Sequence, residues 1–305
     1  MRFSVIGAAN VDIGTRCAHG FIPGDSNIGK ITVTYGGVAR NVAQDLRLLG
    51  HEVSLLAAFG NDAFGAAVYD DCVKAGLDLS HAWRGEGTSS AYVFVCDNEG
   101  EMRVAVSDMD IAGQITPSFL ERNRAFWDSA DAVVFETNLS QDSVGALVRM
   151  ASAPLYVDTV SCEKAKKLLP VLQAGLGKKI HSLKTNVAEA QVLTGGRIRD
   201  GKDALLAAEV LQETGIGRCY LTAGKHGVYV ATAEESFVLP APEVTVVSAT
   251  GAGDAFLAGV ADGAGESARV CAMRGMAVST VTLAAPGAVN TELCRDRLQN
   301  TEGRN

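Results

Sequence analysis

Short apolar, β-branched runs alternate along the chain with segments whose apolar residues recur every three or four positions. FSVIGA (3–8), VSLLAAF (53–59), AVVFE (132–136), LYVD (155–158) and CYLT (219–222) have the length and composition of buried strands. In VARNVAQDLRLLG (38–50), Val38, Val42, Leu46 and Leu49 share one helix face and Gly50 closes the run. GKDALLAAEVLQETG (201–215) has the same period. Strand, helix and strand in repetition predict an α/β fold, a mostly parallel central sheet with helices on both faces.

Two regions break the alternation. Residues 13–35 carry glycine and proline punctuation and then KITVTY, which has strand composition. Residues 89–107, SSAYVFVCDNEGEMRVAVS, are two strand-like runs around the turn signal DNEGE. These pieces predict a small accessory β-sheet projecting from the body as a lid. No long linker, low-complexity tract or repeat divides residues 1–305, so one compact domain is expected. The tail TEGRN (301–305) is expected to fray.

Composition narrows the function without naming it. The chain has 305 residues, 47% of them hydrophobic, enough for a sizeable core. Its net charge of −8 and the lack of a basic run turn the reading away from nucleic acid. A small anionic ligand remains open, because backbone groups can hold one whatever the net charge. No run approaches the roughly 18 consecutive apolar residues of a membrane span, and MRFSVIGAANVDI reads as a first buried strand rather than a signal peptide. Cys17, Cys72, Cys96, Cys162, Cys219, Cys271 and Cys294 are odd in number and form no C-x-x-C pair. Reduced thiols and a cytoplasmic location are the expectation.

The chemistry concentrates in SATGAGDAFLAGV (248–260). If a helix starts near Gly251, its free N–H groups and dipole favour an anion, and the small residues Gly251, Ala252 and Gly253 leave the approach clear. A carboxylate at Asp254 would then sit beside the bound anion, where it can take a proton from an attacking hydroxyl. The same four residues also suit a loop with Asp254 as a helix N-cap. Four further segments bear on the choice. YGGVARNVA (35–43) offers Gly36 and Gly37 for close backbone approach and Asn41 as donor and acceptor, or is a plain glycine turn before a helix. ANVD (9–12) sets Asn10 and Asp12 just after the first strand, where open α/β sheets bind ligands. KTNVAEAQVLTG (184–195) puts Asn186 and Glu189 on one face of a helix turn, a spacing equally that of a capping box. LTAGKHGVYV (221–230) by itself is a hairpin. The five histidines show no zinc spacing, and neither a P-loop nor a G-x-S-x-G elbow is present.

In combination and order, YGGVARN, TNVAE, LTAGKHG and TGAGDAF resemble the signature segments of the PfkB (ribokinase-like) family of carbohydrate and nucleoside kinases, across essentially the whole chain. The resemblance implies Asp254 as catalytic base and the backbone of Gly251, Ala252 and Gly253 as anion hole. It implies that Asn186 and Glu189 organise Mg²⁺ and the nucleotide phosphates, Glu189 through water, and that Thr222, Gly224 and Gly227 line the ATP site. Asn10, Asp12, Gly36, Gly37 and Asn41 would grip the acceptor, and the lid would cover it and join two copies as a homodimer. GAANVDI, IPGDSNIGKI, VSDMDI, TPSFL and ETNL are most similar to the pseudouridine-phosphorylating branch. That branch implies a nucleoside whose 5′-hydroxyl faces Asp254 and whose base lies near Ser26, Asn27 or Asp110. A sugar acceptor, or a non-catalytic nucleoside or sugar sensor, are the alternatives. In ETNL, Glu136 and Asn138 alternate, so one faces the ligand, and Asn138 is the expectation. Many relatives carry an acid where Ser248 stands here. Carbonyls of AAPGAVNT (284–291) remain for K⁺, but without that acid K⁺ activation is not expected.

Overall fold

The computed structural model describes residues 1–302, with side chains to residue 298. Its strands are β1 (Arg2–Ile6), β2 (Asn10–Cys17), β3 (Gly29–Gly36), β4 (Glu52–Leu56), β5 (Ala58–Gly60), β6 (Trp83–Gly85) and β7 (Ala91–Cys96). They continue with β8 (Met102–Asp108), β9 (Ala132–Glu136), β10 (Leu155–Asp158), β11 (Ile180–Asn186), β12 (Arg218–Thr222), β13 (Val228–Thr232) and β14 (Ser236–Leu239). The longer helices are α1 (Val38–Leu48), α2 (Ala63–Lys74), α3 (Gln141–Met150), α4 (Val187–Thr194), α5 (Gly201–Glu213), α6 (Ala252–Asp262), α7 (Ala268–Leu283) and α8 (Arg295–Glu302). Helix α8 takes in Thr301 and Glu302 of the tail expected to fray, and residues 303–305 lie outside the described residues.

The main sheet has eight strands in the order β14-β13-β12-β11-β10-β9-β1-β4. From β12 to β4 every pairing is parallel, while β13 and β14 close one edge as antiparallel strands. A parallel sheet covered on both faces needs strands that are apolar on both, and β9 (AVVFE) is buried at all five positions. Val133 and Phe135 enter the core on one face with Val144, Leu147 and Val148 of α3 and Ala204, Ala208 and Leu211 of α5. Ala132 and Val134 enter the other with Val42 and Leu46 of α1 and Phe256, Leu257 and Val260 of α6. Phe135 is fully buried, so Phe135→Ala is expected to cost about 3–5 kcal/mol.

The strands expected at 132–136 and 155–158 appear with those bounds. The run expected as one strand at 53–59 is two, because β5 leaves the main sheet to pair with β6. Strand β11 has no purely apolar run. Its HSLKTN carries Lys184, Thr185 and Asn186 into the site described below, and polar demand there overrides strand composition.

A second sheet has the order β3-β2-β7-β8. The accessory strands expected within 13–35 and 89–107 are present, with β2 as a further strand starting at Asn10. Asn10 and Asp12 therefore stand on a strand, not on a loop after β1. The two faces differ sharply in chemistry. Ile13, Ile31, Val33, Val93, Val95, Val104 and Val106 share one face by register, and Ile31 (71% exposed) and Val106 (65%) have no cover. Asn10, Asp12, Gly14, Tyr92 and Phe94 share the other.

Strand β3 passes into α1 through Gly37 alone. Its φ is 101°, and a Cβ there would lie 2.4 Å from the Ala8 carbonyl oxygen. Only glycine allows this crossing.

Candidate active site

The site lies at the carboxyl ends of the parallel strands, where the first turn of α6 meets β1, β9, β10, β11 and α1. Gly251 is the N-cap of α6, left-handed at φ 79°, and a Cβ on it would lie 1.9 Å from the Ala288 carbonyl oxygen. Ala252, Gly253 and Asp254 follow as the first helical positions. Asp254 is thus in the first turn and is not the N-cap, which removes the capping explanation of GAGD. No side chain caps this turn, and its first N–H, that of Ala252, donates to the Ala249 carbonyl at 3.4 Å.

Asp254 accepts a hydrogen bond at 2.8 Å from the Asn41 side-chain amide of α1. Loss of solvation, then the nearby Asp158 carboxylate, push its pKa up to about 7, against the Asn41 bond and the Lys184 charge. Near-neutral pKa suits a general base. Lys184 is buried directly beneath the turn, and a Cβ on Gly253 would lie 2.6 Å from its ammonium nitrogen. That ammonium pairs with Asp158 at 3.0 Å. Burial alone would lower the Lys184 pKa, but Asp158, Glu189 and Asp254 outweigh it and hold it above the ordinary value. Asp158 also accepts from the Val160 amide at 2.7 Å, and Val160 adopts a left-handed φ of 61°, a rare conformation for a β-branched residue.

Other expected residues fall into three groups. Thr222, Gly224 and Gly227 line a cavity of about 680 Å³ that reaches Ala252 and Gly253, so the segments expected to hold ATP and the anion turn meet in one space. Asn10 donates to Asp12 at 2.7 Å, and a Cβ on Gly36 would lie 2.1 Å from the Asp12 carboxylate. Burial raises the Asp12 pKa, opposed by that bond and by Arg40. Asn138 presents a buried amide oxygen without a partner. Its neighbour Glu136 accepts from the Ala8 amide at 2.6 Å and from the Asn138 amide.

Several of the expected residues are already engaged or lie exposed in this structure. Asn41 spends its carbonyl on Arg40 and one N–H on Asp254, so it orients the acid. Asn186 and Glu189 do form a capping box, and the Glu189 oxygens are taken by Asn186, Thr159 and Thr185. At 2% exposure Glu189 is buried behind Asn186. Asn27 uses its whole amide inside its loop, accepting from Ile22 N and donating to the carbonyls of Ile22 and Asp25. Asp110 is exposed at the start of a short 3₁₀ turn.

Sequence reading missed Lys184, Asp158 and Lys167. Lys167 donates to the carbonyls of Thr137, Asn138 and Leu139 and so fixes the loop after β9. A lysine inside the otherwise strand-like SLKTN was the one visible clue. Asp45, also missed, lies one helical turn beyond Asn41 with no exposure and no partner for either carboxyl oxygen. Burial, then the Asp254 charge, push its pKa well up.

Asp254 and Asp158 both lie beside the Lys184 ammonium, which leaves more carboxylate than ammonium there. Among the described residues no three metal-ligating side chains converge as a chelating cluster. Such a donor set fits a divalent cation shared with phosphate oxygens and water better than one caged by protein. At Ser248 the hydroxyl accepts from the Thr250 amide at 3.2 Å and shapes the turn before Gly251.

The model of the pfkB family carbohydrate kinases matches residues 2–293. The pseudouridine kinase of Escherichia coli K12 is 36% identical over 261 residues, 84% of this chain and 82% of that protein. Among solved structures, a carbohydrate kinase from Agrobacterium tumefaciens superposes with a TM-score of 0.84 at 27% identity, over 99% of this chain and 97% of that one. Ribokinase from Thermotoga maritima superposes with a TM-score of 0.85 over the whole of both chains, at 18% identity, and shares the fold.

Proposed function

The chain belongs to the pfkB family of carbohydrate kinases, and on that premise we propose that it transfers the γ-phosphoryl group of ATP to the 5′-hydroxyl of a nucleoside, pseudouridine first among them. The observation that carries the reading is Asp254, a carboxyl with pKa about 7 in the first turn of α6, a turn that no side chain caps. Ionised, it takes the acceptor hydroxyl's proton as that oxygen attacks the γ-phosphorus and the bond to the ADP oxygen breaks. The helix N–H groups and Lys184 face the charge on the transferring group, and Asn41 fixes the carboxylate. Mg²⁺, when bound with the nucleotide, supplies neutralisation of phosphate charge. The site's surplus of carboxylate is suited to it, with Asn186 at its edge.

The choice of pseudouridine is supported by the likeness to the E. coli kinase of that name. A sugar acceptor is the second reading, favoured by the likeness to a carbohydrate kinase and a ribokinase. In either case the small sheet acts as the lid, with Asp12 on its polar face. Its bare aliphatic face is proposed to meet a second copy, as a homodimer. Free thiols at all seven cysteines support a reducing, cytoplasmic setting. No helix among the described residues is long and apolar enough to cross a membrane.

The test is ADP release with Mg–ATP across pseudouridine, uridine, adenosine, cytidine, inosine, ribose and fructose, in K⁺ and in Na⁺. Highest turnover with pseudouridine, little changed by K⁺, is expected. Preference for ribose or fructose would replace the nucleoside reading with the sugar reading. Silence with every acceptor, alongside tight acceptor binding, would make the protein a sensor.

A further inference from the structure

The acid-bearing face of the small sheet holds two aromatic rings that the site as described does not use. Tyr92 stands opposite Asp12, and Phe94 opposite Gly14, in the β2–β7 register. Their ring centroids are 5.6 Å apart with planes tilted by 35°. Both are half-buried, yet neither packs into any of the protein's hydrophobic clusters. Phe94 lies across β2 over Gly14, where a Cβ would come within 2.6 Å of its Cζ. The glycine therefore clears the strand so that the ring can lie over it. Tyr92 is steadied by its hydroxyl, which donates to the Met102 sulfur at 3.6 Å.

Large rings left outside the core need another apolar partner. Here they continue a surface whose other end is the Asn10–Asp12 pair. A ligand matching both halves is hydroxylated at one end and flat and unsaturated at the other. A free pentose would satisfy the acid and leave the rings bare. Stacking on a ring is open to any base, since every base has a π face.

We propose that Tyr92 and Phe94 form the shelf on which the acceptor's base stacks, and that they are the residues by which this site prefers nucleosides to free sugars. This rests on the nucleoside reading above. The test compares wild type with Tyr92→Ala, Phe94→Ala and the ring-keeping Tyr92→Phe, using the nucleoside that wild type turns over best and ribose. Each alanine is expected to raise KM for the nucleoside about tenfold, with KM for ATP and for ribose unmoved. Tyr92→Phe is expected to stay near wild type. Thermal unfolding of each variant at the wild-type temperature shows that the body is intact. If wild type turns over nucleosides and both alanine variants keep its KM, the shelf is wrong and the function stands. An equal rise in KM for ribose would also overturn it, making the rings supports of the sheet. A wild type that works only on sugars removes both the nucleoside reading and the shelf.

Discussion

Helix α6 carries Asp254 in its first turn and Asp262 in its last, and the two carboxyls have opposite surroundings. The helix dipole alone would favour charge on Asp254 and oppose it on Asp262. Their pKa values run the other way. Loss of solvation and the Asp158 charge lift Asp254 to about 7. Burial also works against charge on Asp262, but His51 at 2.8 Å, Arg295 at 2.8 Å and Arg274 at 3.4 Å outweigh it and hold its pKa below the ordinary value. Near neighbours thus decide over the dipole. One end of the helix is neutralised by the protein itself, as an anchor should be. The other keeps a carboxyl whose charge its neighbours do not fully offset.

The contrast breaks first at Asp254. Asp254→Asn is expected to lower kcat by about 10²–10⁴ while ATP still binds, measured by steady-state rates beside calorimetric titration. Near-normal kcat in that variant would remove Asp254 as the base. Asp262→Ala should do the reverse, leaving His51, Arg274 and Arg295 facing one another. Breaking a buried pair costs about 3–5 kcal/mol, here at the low end because Arg295 is half exposed. Urea unfolding at pH 7 measures it, and folded protein should keep its kcat.

The pH dependence of stability sharpens the comparison. A raised acid such as Asp254 contributes stability that is full below 3.8 and is lost as pH climbs through about 7. The gain in melting temperature of Asp254→Asn over wild type should therefore grow from pH 4 to pH 8. Asp262, with a lowered pKa, contributes stability present above 3.8 and lost as pH falls through its folded value. The deficit of Asp262→Ala should then shrink in acid. Curves with the opposite slopes would reverse both assignments. The smallest effect is expected at Asp45, a buried acid without a partner behind the base. Asp45→Leu replaces it at similar volume and should raise the melting temperature by about 2 °C, whereas a fall would reveal a bond to Asp45.

Much of this was visible in the chain. The strands AVVFE and LYVD and the helix over 38–48 could be placed because apolar periodicity and burial coincide there. The helix start at GAGD was legible because small residues precede an acid and an apolar run, although those four residues suited an N-cap equally well. Lys184 was not, because its meaning depends on Gly253, which passes above it from a distant segment. The hydrogen bonds of Asn27 and Glu189 were hidden for a related reason. Sequence shows which groups can bind, but whether a loop or a cap has already used them depends on hydrogen bonds that only the fold creates. The shelf of Tyr92 and Phe94 was hidden by composition, since a strand rich in aromatics reads equally as core.

Both ends of α6 lean on distant chain. Asn41 lies 213 residues before Asp254, and His51 lies 211 before Asp262. Arg295 follows Asp262 by 33 residues. During synthesis the amino-terminal partners must wait, uncommitted, until α6 emerges, and the distal anchor waits further for residue 295. Contacts of such span incur loop-closure entropy before they return any stability. Refolding should accordingly regain helical signal well before it regains activity, since local turns form early and the base is fixed among the last contacts.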